Sequence, residues 1–284
     1  MIRRAALIVA AIAVFGAAMA WLSACGLKPS HGAGQPFALL AAVPQVAREY
    51  AATPASQKVT LPATGDKPQE AHKSQSPPLT VLSEGAPALN EIALTFDDGP
   101  HPGFTEPLLK ILAEHKIRAT FFLVGKMAEI AGDLVRREVA AGHEIGNHTY
   151  SHICLKTSTP TLANTELRRC NAVIESLTGE TVRICRPPGG VFDRNAIDIV
   201  HQLDMMTVLW TCDPADYEDI PGPQIVARTL PTLSPGGIVL LHDGIQGTLD
   251  ALPQIIAACD ARGFKYVTCS EMAQHRASGR SANG

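Results

Sequence analysis

Two adjacent carboxylates, Asp97 and Asp98, and two histidines four residues apart, His148 and His152, are the residues here whose types and spacing best suit chemistry. Histidines at that spacing on one helical turn point the same way, a common arrangement of zinc ligands. A carboxylate as third ligand leaves a coordination position open, which marks a catalytic rather than a structural metal site. Consecutive side chains on a strand diverge, so Asp97 and Asp98 cannot both serve one ion comfortably. A division of labour follows, in which one carboxylate binds the metal and the other takes a proton from the attacking water. That base must stay ionised beside other acids, and Arg186 can hold it so by a charge-assisted hydrogen bond. The unperturbed pKa of histidine lies near neutrality, so His242 can protonate a leaving nitrogen. Each feature alone has a bland reading: a surface histidine pair, a structural ion pair, a satisfied polar histidine. Their joint occurrence at strand ends argues for metal-assisted hydrolysis.

From about Asn90 onward, short apolar runs alternate with amphipathic segments. Strands are predicted at Ile92–Phe96, Thr120–Val124, Glu144–Asn147, Val182–Arg186, Met206–Thr211, Ile238–Leu241 and Tyr266–Thr268. Helices are predicted at Thr105–His115, Asp133–Ala141, Leu162–Leu177, Arg194–Gln202, Gln224–Leu233 and Leu249–Arg262, with Thr105 as an N-cap and Gly142, Gly179 and Gly263 as stops. Such alternation implies right-handed crossovers and a parallel sheet, either an open doubly wound one or a closed barrel. In both, ligands bind at the C-terminal ends of the strands. The ionisable residues fall there: Thr95-Phe96-Asp97-Asp98-Gly99-Pro100, His148-Thr149-Tyr150-Ser151-His152, Arg186-Pro187-Pro188-Gly189-Gly190, Asp213-Pro214-Ala215-Asp216-Tyr217 and Leu241-His242-Asp243.

The rest of the chain sets the compartment. Arg3 and Arg4 precede an apolar run from Ala5 to Leu22, followed by Ser23-Ala24-Cys25, the form of an export signal. Leu22-Ser23-Ala24-Cys25 resembles a bacterial lipoprotein box, in which Cys25 is lipidated; Ala18-Met19-Ala20 would suit ordinary secretion, and an uncleaved anchor is the third reading. All three export the remainder to the periplasm or cell surface, with the membrane as partner through a lipid or an anchor. Residues 26–87, rich in Ala, Pro, Ser, Gln and Thr, read as a flexible tether, residues 88–275 as the folded domain and 276–284 as a disordered tail. Beyond Cys25, six of the seven cysteines remain, enough for three disulfides or for six small buried hydrophobes. A net charge of −3 gives no basic patch for nucleic acid. A monomer is expected.

The motifs TFDDGP, HTYSH, RPPGG, DPADY and LLHD, in this order, resemble those of carbohydrate esterase family 4, the polysaccharide deacetylases that share the nodulation-factor deacetylase homology domain. The resemblance covers about residues 90 to 272 and includes ATFFLVG and RGFKYVTCSEM. It implies a distorted (β/α)7 barrel and a divalent metal, usually zinc, with cobalt or another divalent ion as the alternative. Asp97 resembles the family's catalytic base, and Asp98, His148 and His152 its metal triad. His242 resembles the acid, with Arg186 and Asp216 as the pair orienting base and acid. The Gly189 N–H falls where the family completes an oxyanion hole. Two positions depart: Gly189 stands where an aromatic is usual and Tyr217 where Trp is usual, so both bear on the acetyl pocket. The implied reaction is N-deacetylation of a GlcNAc-containing envelope or extracellular glycan, releasing acetate. An O-acetyl or other acyl hydrolase on the same fold, and a catalytically silent glycan-binding lipoprotein, are the rivals.

Overall fold

Strand and helix alternate along the chain because buried apolar runs alternate with segments apolar on one side only. The computed structural model describes residues 81–281. The strands are β1 (Val81–Leu82), β2 (Glu91–Asp97), β3 (Thr120–Leu123), β4 (Glu144–Asn147), β5 (Ile184–Cys185), β6 (Met206–Val208), β7 (Gly237–His242) and β8 (Lys265–Tyr266). The helices are α1 (Thr105–Glu114), α2 (Gly125–Ile130), α3 (Gly132–Ala140), α4 (Pro160–Thr178), α5 (Arg194–Gln202), α6 (Gly222–Thr229), α7 (Gln246–Ala261) and α8 (Cys269–Ser281). All pairings are parallel, in the order β1-β6-β5-β4-β3-β2-β7, with β8 on the lower end of β2. A single parallel bridge, Cys212 to Val239, joins the chain beyond β6 to β7 and closes the curl. The result is the distorted barrel of (β/α)7 type that the sequence implied.

Side chains alternate across each strand, and this sorts the core into two. From β2, Ile92, Leu94 and Phe96 pack outward under the helices with Leu108, Leu112, Phe121 and Leu167. Its other face turns into the barrel, where Ala93 meets Phe122, Ile184, Val208 and Ile238. Thr95 and Asp97 continue that inner row toward the C-terminal end. Gly146 on β4 makes room for the inner layer, since a Cβ there would stand 2.6 Å from the Phe122 ring.

Several sequence expectations are corrected. The folded unit begins before residue 88: β1 pairs with β6, Leu82 is fully buried, and Gly85 donates to the Gly236 carbonyl at 2.8 Å. It also runs past residue 275, because α8 continues to Ser281. The strands predicted at Val182–Arg186 and Met206–Thr211 shorten to two and three residues; beyond the first, Pro187 and Pro188 have no N–H to donate. Helix α2 was not anticipated. Thr105 is the first residue of α1 rather than its cap. Cys154, Cys170, Cys185, Cys212, Cys259 and Cys269 are all buried, and no disulfide is formed among them. Gly142, Gly179 and Gly263 do end helices, each at positive φ. Cys25, the signal and most of the tether lie outside the described residues.

Candidate active site and metal centre

The barrel's inner row ends in Asp97, and the loop beyond it turns sharply at Asp98, which adopts φ 74°. That left-handed turn sends the Asp98 carboxylate toward the loop after β4. There the structure departs from the helical turn expected for His148 and His152. Thr149 (φ 63°) and His152 (φ 59°) are left-handed in an irregular loop. The imidazoles nonetheless meet, with ring centroids 5.0 Å apart. Asp98 Oδ1 lies 3.4 Å from His148 Nε2 and 3.1 Å from His152 Nε2.

Side chains from α4 hold this loop. Glu166 accepts from the Ser151 N–H at 2.7 Å and from its hydroxyl at 2.9 Å. Asn147 donates to the Leu167 carbonyl and accepts from the Thr149 N–H at 2.7 Å. Neither contact carries a sequence signal, since Glu166 is one polar residue among many on an exposed helix.

Three ligand atoms from Asp98, His148 and His152 lie within 4.8 Å of one another. The His148 Nδ1 is 2.7 Å from the Arg186 carbonyl, which can only accept. The ring proton therefore sits on Nδ1, and the Nε2 lone pair faces Asp98. Asp98 Oδ1 is itself buried without a hydrogen-bond partner. Acceptor atoms thus converge, and two imidazole nitrogens with one carboxylate oxygen suit zinc and similar divalent ions. Burial opposes ionisation of Asp98, but with no ion bound protonated His148 and His152 would outweigh it and hold the carboxyl well below its ordinary value. The residues fit a metal.

Arg186 is fully buried among Phe122, Thr95 and Asp97. Its Nη1 donates to Asp97 Oδ1 and to the Thr95 hydroxyl, both at 2.7 Å, and its Nη2 donates to the Leu209 carbonyl. A buried guanidinium so satisfied fixes the orientation of its partner carboxyl. Thr95 was missed by the sequence reading, although its place two residues before Asp97 puts it on the same face.

On the neighbouring strand β7, where His242 stands in register with Asp97, His242 Nδ1 is 2.7 Å from Asp216 Oδ1, whose other oxygen accepts from the His242 N–H at 2.8 Å and the Thr248 hydroxyl at 2.6 Å. Burial alone would lower the His242 pKa. The hydrogen bond and charge of Asp216, with Asp98 and Asp97 behind, raise it to about 9. Tyr217 is half exposed and stands edge-on to His242, centroids 5.4 Å apart. Gly189 and Gly190 are both left-handed, at φ 65° and 63°. Trp210 rests on Gly190 so closely that a Cβ there would come within 2.3 Å of the indole. Phe192 packs against the outer core. The structure thus gathers Asp97, Asp98, His148, His152, Arg186, Asp216, Tyr217 and His242 at one end of the barrel.

Residues 85–208 match the family model described as polysaccharide deacetylase. The chain is 35% identical over 188 residues to a peptidoglycan-N-acetylglucosamine deacetylase of Bacillus cereus, covering 65% of this chain and 68% of that one. It is 36% identical over 194 residues to a chitooligosaccharide deacetylase of Sinorhizobium fredii, covering 63% and 89%. A solved carbohydrate esterase family 4 pseudoenzyme from Bacillus anthracis superposes with TM-score 0.66 at 29% identity, over 69% of each chain. Fold likeness therefore extends to a silent relative, so catalysis has to be argued from the side chains. With the barrel, the ordered motifs and these likenesses in agreement, the chain belongs to the polysaccharide deacetylases of carbohydrate esterase family 4.

Proposed function

We propose that this protein hydrolyses the N-acetyl groups of GlcNAc residues in a cell-envelope polysaccharide, releasing acetate and leaving glucosamine units. The observation that carries the reading is a pair of oriented dyads, Asp97 with Arg186 and His242 with Asp216, set on register-paired strand ends beside a two-histidine, one-carboxylate triad. A silent protein has no need of both dyads.

Asp98, His148 and His152 would hold the metal, with zinc as the ion proposed. When bound, the ion supplies Lewis-acid polarisation at the reacting centre. Asp97, oriented by the Arg186 guanidinium at 2.7 Å, takes a proton from the attacking water. The Gly189 N–H meets the oxyanion as the acetyl carbon becomes tetrahedral. His242 arrives protonated because Asp216 raises its pKa, and it gives that proton to the departing nitrogen. Without that transfer an amide would have to expel an amide anion, a far poorer leaving group than an amine. Tyr217 lines the rim beside His242, where it would bear on the acetyl pocket.

The N-terminal signal motif supports export as a lipoprotein, with Cys25 as the lipidated residue and the glycan as the partner outside the membrane. The test of the reaction is acetate release by the purified protein from N-acetylated peptidoglycan and chitin oligomers, beside O-acetylated xylan. Release from the N-acetylated glycans is expected; release only from xylan would make it an esterase, and release from none a binding protein.

A further inference from the structure

Asp243 follows His242 and takes no part in the chemistry above. It is nevertheless 3% exposed and meets the loop after β2 at several points. Its N–H donates to the Asp97 carbonyl at 2.9 Å. Its Oδ2 accepts from the Thr105 hydroxyl at 2.5 Å and from the His101 N–H at 3.4 Å. The same oxygen lies against Gly99, where a Cβ would approach it to 2.7 Å. Thr105 opens α1, so the carboxylate also sits at the positive end of that helix.

Between these contacts lies Asp98, the non-glycine residue at φ 74°. Holding such a residue left-handed costs on the order of 1 kcal/mol, and it persists only where the surroundings enforce it. Asp243 touches the chain before the turn and after it. Beneath it, Glu138 on α3 is fully buried, and neither of its oxygens nor Asp243 Oδ1 has a hydrogen-bond partner among the described residues. Burial, and then the Asp243 charge, push the Glu138 carboxyl well above its ordinary value. Burial raises the Asp243 carboxyl as well, and the Thr105 hydroxyl and the nearby His101 oppose that rise.

We propose that Asp243 is a positioning residue that locks the Asp97–Asp98 turn onto the strand carrying His242, so that base, metal ligand and acid share one register. The activity readout rests on the deacetylase reading, whereas the ion-binding readout does not. In the full-length protein, kcat and KM for acetate release, zinc affinity by calorimetry and Tm are compared for Asp243→Ala, Thr105→Val, Thr105→Ser and the double variant Asp243→Ala/Thr105→Val. Misplaced reacting groups cost turnover rather than binding. Asp243→Ala and Thr105→Val should each lower kcat by about tenfold or more, leave KM within about threefold and weaken zinc about tenfold, the size usual for outer-shell partners. Thr105→Ser should restore both, and the double variant should lose no more than the worse single one. Additive losses, failure of Thr105→Ser to restore, or a lowered Tm with zinc affinity and kcat unchanged would overturn the proposal. If Asp243→Ala does not fold, the contrast between Thr105→Val and Thr105→Ser decides it. If the wild type releases no acetate, the deacetylase reading falls, and zinc affinity across the Thr105 variants still decides this inference.

Discussion

Asp216 governs how long His242 keeps its proton. With a folded-state pKa raised to about 9 from 6.5, His242 is charged in the folded protein across the neutral range. Its contribution to stability is complete below pH 6.5 and is lost as pH rises through about 9. In turnover the same protonated form is the competent one, so activity should fall on the basic side. Asp216→Asn removes the main raising influence and leaves burial, which lowers the pKa. The basic limb of the kcat–pH profile should therefore move to lower pH, and an unmoved limb would mean that another group sets it. Gly190 offers a second residue-scale test. Its φ of 63° and the indole above it both exclude a side chain. Gly190→Ala should shift Trp210 and reduce turnover by disturbing the adjacent Gly189, with little change in zinc affinity by calorimetry. The same left-handed geometry at Gly189 disfavours the aromatic usual in the family, since a side chain there would strain the backbone.

At the scale of elements, β1 is a two-residue strand whose Leu82 fills the inner core beside Val208 and Ile238. Leu82→Ala should destabilise the protein by about 2–5 kcal/mol, read from denaturant unfolding, as for other buried leucines. A chain started at residue 88 should unfold more easily than one started at 80 for the same reason. The element was not legible because two residues show no alternation and sit at the end of a Pro- and Ser-rich stretch. The long elements were legible: β2, β7, α4 and α7 carry strong apolar patterns, and polar motifs at their ends marked the site. The HTYSH loop was misread because histidines four apart fit a helix equally well. Its left-handed residues, Thr149 and His152, are not glycines and give no warning. Helix α8 was missed because its second half is polar and only its start, at Cys269 and Met272, is buried.

For the whole molecule, the proposed glycan-directed activity and the proposed export signal make separate predictions. Among the described residues no helix is long and apolar enough to cross a bilayer, so anchoring would fall to the segment containing Cys25. Cys25→Ser should release the protein from the membrane fraction, as seen by fractionation; continued association would favour an uncleaved anchor. Cutting residues 26–79 from the full-length protein should leave turnover of small soluble oligosaccharides unchanged and, if Cys25 is lipidated as proposed, lower it on intact envelope, where reach matters. Equal activity on both would assign the segment no spacing role.

The central claim is that Asp97 and Asp98 divide the work, one as base and one as ligand. The most direct measurement is zinc stoichiometry together with acetate release for Asp97→Asn and Asp98→Ala. Asp97→Asn should bind about one ion, since His148, His152 and Asp98 all remain. Its kcat should fall by about 10²–10⁴-fold, the range for loss of a positioned base. Asp98→Ala should lose both ion and activity. Near-full turnover by Asp97→Asn, or full ion binding by Asp98→Ala, would contradict the account.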